Sequence, residues 1–258
     1  MKIFIKPVGL TINDFKYKLI KEGRLSEKSC CCGRLDPQAR GAELFLENEG
    51  LKDFDKYTYN TDKEYEAEII IGMSTDTDDI MGILDNKYNF PLTEIEKNNI
   101  ISKITDELND LNINRQFNQK FHPYSSFMLR KNGERKPLWK WKKLNKLEDK
   151  DIPSKKIYLH FINILELKTY KYSDILQEFI KRINLTDKKH KFRQQEIVEQ
   201  WRDLENLKII DNIYSIKFQI KVSSGFYIRQ LCQDLKKKIH FPLMIFDINR
   251  TKIHLKTI

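Results

Sequence analysis

Residues 31 to 41, CCGRLDPQARG, set one carboxylate, Asp36, between Leu35 and Pro37, with Gly33 and Gly41 at the borders and Arg34 and Arg40 alongside. A carboxylate in a loop stiffened by proline can act as a nucleophile or as an acid and base, provided its surroundings desolvate it and a cation aims it. A surface turn would use the same Asp, Pro and Gly for backbone geometry alone, and for an isolated Asp-Pro that plainer reading weighs more. A second set is Tyr227 and Arg229 in SSGFYIRQL. The arginine offers a two-pronged donor to a carboxylate such as Asp36, or it simply faces water from a helix. Third is Tyr65, at the head of YEAEIII, where an aromatic serves as a stacking platform or as core.

These residues need elements to hold them. Thr11 with Asp14 forms a capping-box pattern before Ile12, Phe15 and Leu19, and Gly23 stops that helix; the segment to about residue 42 then reads as a loop. Residues 65 to 71 alternate as a strand that ends at Gly72. Thr93 and Glu96 open a helix through Leu111, residues 157 to 167 read as a buried strand, and Ser173 caps a helix to about Ile183. Residues 184 to 211 are charged with weak periodicity. Tyr214, Ile216, Phe218, Ile220 and Val222 alternate as the cleanest strand, and beyond Gly225 the apolar spacing becomes helical. The reading is one α+β domain over residues 1–258.

Charge points to the partner. The 258 residues hold 47 Lys and Arg against 37 Asp and Glu, a net +10, which suits an anionic partner, most often nucleic acid, although a lysine-rich solvated surface would also produce it. Between Lys120 and Lys156 there are 12 basic residues against four acids, so the excess is concentrated. His122, Tyr124, Trp139 and Trp141 interleave with it, the mixture of cations and stacking faces that looped RNA favours. Pro123, Gly133 and Pro137 break regular structure there, and the stretch 118 to 150 is expected to be a loop or a protruding β-hairpin. Cys30, Cys31 and Cys32 are consecutive and Cys232 stands alone, a spacing that suits neither an ordinary disulfide framework nor a zinc site. A reducing compartment is expected. No apolar run has the length of a signal peptide or a membrane span, so an intracellular, soluble protein, cytoplasmic, nuclear or in an organelle matrix, is expected and no membrane partner.

Five segments carry a family resemblance. IKPVGLT resembles the KPxGxT opening of the TruB-type pseudouridine synthases, and GRLDPQARG resembles their G-x-LDP-x-A-x-G catalytic loop. KEYEAEIIIGMSTDTDDIMG, HPYSSFMLRKNGERKPLW and VSSGFYIRQLCQDL are similar, in the right order, to three further segments of that family. MIFDINRTKIHL resembles a weakened form of the segment that closes the catalytic domain, with Arg250 and Thr251 kept.

The resemblance implies a pseudouridine synthase catalytic domain built on a central, mixed and mostly antiparallel sheet flanked by helices, with a protruding basic RNA-gripping loop at about 118–150. It implies that Asp36 is the catalytic aspartate, that Tyr65 packs on the target base, that Tyr227 handles the base proton and that Arg229 is the salt-bridge partner of Asp36. Lys6, Arg130, Lys131, Arg135, Lys136, Lys140, Lys142 and Lys143 would contact RNA phosphates, with Arg34 and Arg40 as further candidates for the RNA backbone. No metal or other cofactor is implied; the sequence has no P-loop, no G-x-G-x-x-G and no His/Cys cluster.

The expected reaction turns uridine into pseudouridine in RNA, at position 55 in the TΨC loop of tRNA. Alternatives are the same chemistry on another RNA, with or without a guide, and a catalytically silent RNA chaperone. Where tRNA-specific relatives carry a histidine five residues before the aspartate, this chain has Cys31, so the base-flipping device or the substrate is expected to differ. Phe226 and Ser126 are milder departures. The chain ends soon after Thr251, so no C-terminal RNA-binding (PUA) domain is expected, and with no heptad or exposed apolar stripe the expected state is a monomer.

Overall fold

The computed structural model describes residues 1–87, 90–113 and 115–255. In chain order the elements are β1 (Lys2–Lys6), α1 (Ile12–Lys21), β2 (Ser29–Cys32), β3 (Arg40–Glu47), α2 (Phe54–Tyr59), β4 (Thr61–Ile71), β5 (Met73–Thr75), β6 (Leu84–Lys87), α3 (Glu94–Ile113), β7 (Gln116–Lys120), β8 (Met128–Lys131), β9 (Glu134–Pro137), α4 (Leu138–Lys143), β10 (Ser154–Lys171), α5 (Tyr172–Asn184), α6 (Gln194–Asn206), β11 (Asn212–Val222), α7 (Ile228–Ile239) and β12 (Leu243–Leu255).

One large sheet runs in the order β1-β3-β12-β4-β11-β10-β7, with β2 added on β3. Its neighbours are antiparallel except β3 and β12, which run parallel through Arg40 and Gly41. The fold is therefore α+β on a mixed, mostly antiparallel sheet, as expected.

The period-two apolar residues of β4 and β11 decide where the core lies. Tyr65, Ala67, Ile69 and Ile71 join Ile216, Phe218, Ile220 and Val222 under Ile100, Ile104 and Leu108 of α3 and Ile228, Leu231 and Leu235 of α7. A second core forms where Ile70, Met244 and Phe246 meet α5 and α6. The side chains of α6 at Ile197, Val198, Trp201 and Leu204 are buried there, so the charged segment 184 to 211 contains a core helix. Its i, i+1, i+4, i+7 spacing is an amphipathic stripe diluted by surrounding charge.

Other local expectations are corrected. The segment before residue 42 holds β2 and the start of β3 instead of a plain loop, because both pair into the sheet. Ser173 lies inside α5, whose N-cap is Lys171. The strand read as 157–167 runs from 154 to 171 and is only half buried. Register shifts after Leu159 and Ile164 re-phase its alternation, and Leu165 and Leu167 end on the exposed side. At α1 the Thr11 hydroxyl accepts the Asp14 N–H at 3.1 Å and donates to the Asp14 carboxylate at 2.6 Å, and that carboxylate also meets His190 and Lys189. Thr93 and Glu96 close a capping box in both directions.

The basic stretch folds as a separate hairpin, β8 with β9, followed by α4. Trp141 is the core of this unit: it is 2% exposed and donates from its indole to Leu129 O at 3.2 Å. It is not a free stacking face for RNA. Trp139, by contrast, is exposed.

Candidate active site

Asp36 sits in the loop between β2 and β3, and four buried side chains fix that loop. Glu43 of β3 accepts the Leu35 N–H at 3.2 Å and the Cys31 thiol at 2.8 Å. Arg250 of β12 pairs with Glu43 at 2.7 Å and donates to Ala42 O at 2.5 Å and Gly33 O at 2.7 Å. Lys6 donates to Pro7 O, Pro37 O and Ala39 O at 3.0, 3.2 and 2.6 Å, and Gln38 reaches Arg182 O and Thr186 on the far side. Pro37 is also held by the Gly9 N–H at 2.8 Å. The loop is thus tied to β1, β3, β12 and α5 at once.

Lys6 corrects an expectation. Its side chain is fully buried under the loop, so it cannot reach a phosphate; its ammonium is used up on three carbonyls, and burial lowers it to about 8.

The Asp36 carboxylate points at Arg229. Arg229 Nε and Nη2 both lie 2.8 Å from the same oxygen, Oδ2, and Oδ1 takes no hydrogen bond among the described residues. Arg229 enters from the first turn of α7 and is only 5% exposed. It also donates to Thr77 O at 3.1 Å and faces Asp79 Oδ2 at 3.5 Å. Burial opposes its charge, but the Asp36 and Asp79 carboxylates outweigh it and its pKa lies above the ordinary value. Asp79 is itself locked by Thr77 Oγ1 at 2.7 Å and Met81 N–H at 2.9 Å, and burial pushes its carboxyl up. Asp79 was not singled out from the sequence; the available signal was the last of three acids in the STDTDDIMG loop.

Tyr65 and Tyr227 line the same cleft, of about 990 Å³, as Asp36 and Arg229. Tyr65 stands on β4 directly across from Arg250 of β12. Burial raises its phenol. Tyr227 is the N-cap of α7; its backbone N–H and C=O are bracketed by the Gln119 amide at 2.8 and 3.1 Å. Phe121 meets its ring edge-on at 5.6 Å. Burial, with the Asp36 charge behind it, pushes Tyr227 up to about 12. The structure therefore brings together the four residues that lie far apart in the chain.

The basic candidates divide. Arg34 and Arg135 line the cleft. Arg40 is turned away to Asp247, at 2.8 Å. Lys131 pairs with Asp151 at 2.6 Å and Lys136 with Glu134. Lys143 lies over the Trp139 and Phe192 rings at 5.6 Å from each, beside a smaller cavity of about 330 Å³ that reaches the back of the Asp36–Arg229 pair. Arg130, Lys140 and Lys142 are exposed and join no ion pair among the described residues. Cys31 lines the main cleft. His122 is a further correction: fully buried, it contacts Asp78 at 3.1 Å and offers no face to RNA.

Among the described residues no group of three or more His, Cys, Asp or Glu side chains could hold a metal ion, and no helix is long and apolar enough to cross a membrane.

Residues 21–136 match the family described as TruB family pseudouridylate synthase (N terminal domain). The chain is 41% identical over 93 residues to tRNA pseudouridine synthase B of Ureaplasma urealyticum serovar 10, a match that covers 35% of this chain and 40% of that protein. It is 33% identical over 102 residues to tRNA pseudouridine synthase B of Acholeplasma laidlawii, covering 38% of this chain and 35% of that one. The matched part thus spans well under half of these relatives' length. Among solved structures, a Cbf5-Nop10-Gar1 complex aligns with 97% of this chain and 48% of its own, at 14% identity and a TM-score of 0.49.

Proposed function

We propose that this chain is a TruB-type pseudouridylate synthase, to which its residues 21–136 are similar, and that it isomerises uridine to pseudouridine in RNA, with tRNA as the substrate and position 55 of the TΨC loop as the target. The observation that carries the reading is the Asp36 carboxylate, anchored by one oxygen on Arg229 with its other oxygen free in a cleft walled by Tyr65 and Tyr227.

The reaction breaks the N1–C1′ bond, turns the uracil and rejoins it through C5, so one site must detach a base and retain it. A carboxylate promotes the break either by attacking C1′ or by removing a ribose proton to give a glycal, and a fixed Asp36 Oδ1 serves both. Arg229 sets Nε and Nη2 against Oδ2, which orients the second oxygen without covering it.

Tyr65 offers a buried ring face to hold the free uracil. Tyr227, pushed up to about 12, is a phenol at neutral pH. It can donate to a uracil carbonyl, and it can relay the C5 proton only by passing its own onward in the same step. Extracting a base costs a few kcal/mol of lost stacking, offset by contacts in the pocket and along the backbone.

The test uses tRNA transcripts with tritium at uridine C5, which only isomerisation releases to water. Release by the native protein, abolished by Asp36→Asn and mapped to position 55, is the expected result. No release from any uridine-containing RNA would overturn the enzyme reading, and release at another position would overturn the target.

A further inference from the structure

The cleft wall carries five cations besides Arg229 and Arg250: Lys16, Arg34, Lys63, Arg135 and Lys155. Its one lining carboxylate, Asp36, is spent on Arg229. Among the described residues, none of the five forms an ion pair within the chain. Two of them lie against the catalytic segments. Lys63 of β4 is 4% exposed, and its ammonium donates to the Thr61 hydroxyl at 2.5 Å and the Thr61 carbonyl at 3.3 Å. Lys155 of β10 reaches Ser224 Oγ at 3.3 Å and lies over the Tyr59 ring at 5.3 Å.

Both lysines lie against glycines of the catalytic segments. A Cβ at Gly33 would come 3.3 Å from Lys63 Cε, and one at Gly225 would come 2.7 Å from Lys155 Nζ. Gly33 is three residues before Asp36 and Gly225 is two before Tyr227, so the ammonium groups flank the backbone that presents both.

Like charges repel, most strongly where water is excluded, and here Lys63 is buried while Lys155 is partly so. Burial, then the Arg250 and Lys155 charges, lower Lys63 to about 7, against the weaker pull of Glu43 and Asp62. An anion placed between them relieves the repulsion. In an open cleft lined with aromatic faces and further free cations, a phosphodiester of a polymer fits: it brings one charge and two free oxygens to two ammonium groups.

We propose that Lys63 and Lys155 jointly bind one phosphodiester of the RNA strand, next to the nucleotide whose base enters the cleft. This rests on the reading that the cleft takes an RNA uridine. Gripping the strand there sets the ribose against Asp36 and compensates for part of the cost of drawing the base out.

The test is equilibrium binding of a tRNA transcript to the full chain across a salt series, for the native protein, Lys63→Met, Lys155→Met and the double variant. Each single variant is expected to weaken binding about tenfold at low salt and to lower the slope of log K against log salt by roughly 0.7 to 0.9. The double variant should lower the slope no further, since one phosphate is shared. A single uncharged methylphosphonate linkage, scanned through the RNA, should reproduce the loss at one position beside the target uridine and cost the double variant nothing more there. Lys155 is only partly buried, so Lys155→Met carries the test if Lys63→Met does not fold.

An unchanged slope, or a double variant that still responds to every methylphosphonate as the native protein does, would overturn the proposal. Binding does not require turnover. RNA that binds without tritium release removes the activity reading while the slopes still judge the phosphate site, and failure to bind any RNA removes both.

Discussion

Arg229 meets Asp36 through two donors on one oxygen, Oδ2, each at 2.8 Å, across 193 residues of sequence. The pairing aims the carboxylate as well as neutralising it, because a fork of two N–H groups fixes direction where a single ammonium does not. Arg229→Lys keeps the charge and loses the fork. Its tritium-release kcat is expected to fall about 100-fold, the scale set by small displacements at a reacting centre, with RNA affinity held. Activity within a few fold of the native protein would show that charge alone suffices.

Asp79 faces the same guanidinium from the other side, at 3.5 Å. Asp79→Asn keeps the shape and the Thr77 and Met81 contacts on one oxygen but removes the second charge that holds Arg229. The expectation is a fall in kcat of about tenfold or more with a change in melting free energy near 1 kcal/mol. Equal losses in kcat and in RNA affinity would instead place Asp79 in binding.

Cys31 replaces the histidine expected of tRNA-specific relatives, and its thiol donates to the buried Glu43 at 2.8 Å. Burial, and then the Glu43 charge, push that thiol well above its usual range, so it should resist alkylation. Iodoacetamide at pH 7.5 followed by peptide mass mapping should leave Cys31 unmodified in the folded protein and modify it in urea. Cys31→Ala removes one donor from Glu43, which keeps the Arg250 and Leu35 contacts, and should cost about 1 kcal/mol by denaturant titration.

His122 supplies a pH dependence. Burial and the Arg229 charge push it down to about 4 in spite of Asp78, whereas the unfolded chain titrates near 6.5. Between those values the unfolded state binds the extra proton, so stability falls as pH drops from about 6.5 toward 4, by roughly 3 kcal/mol. Asp78 acts in the same direction at lower pH, because contact with His122 and Lys236 overcomes burial and holds its carboxyl below the usual range. Urea titrations at pH 4.5 and 7 should show a smaller pH effect for His122→Gln than for the native protein; parallel profiles would remove His122 as the cause.

Gly41 marks where β3 turns beside β12. Its φ is +110°, and a Cβ there would meet the Arg250 carbonyl oxygen at 2.3 Å. Gly41→Ala should destabilise by about 3 kcal/mol or more, read as a drop in melting temperature, and should loosen the Asp36 loop held by the same arginine.

Local spacing already specified much of this protein. The alternation of 65–71 and 214–222, the cap at Thr93 and the helix after Gly225 all form as read, because each depends on residues within a turn or two of one another. The clustered basic charge and the motif around Asp36 were legible for the same reason. The strands β2 and β3, the buried helix α6 and the bulges of β10 were not, since a register shift or a core contact depends on a partner strand or helix distant in the chain.

The same boundary runs through the site. Residue types and order in the sequence singled out Asp36, Tyr65, Tyr227 and Arg229. Tertiary structure alone decided that Lys6 is buried under three carbonyls, that Trp141 and His122 pack inward, that Asp79 backs Arg229, and that Lys63 and Lys155 line the Asp36 cleft with no ion pair of their own among the described residues. A lysine reads alike in sequence whether it faces water or a carbonyl cage; only the sheet, by bringing β1, β4, β10 and β12 onto one loop, assigns each charge its partner.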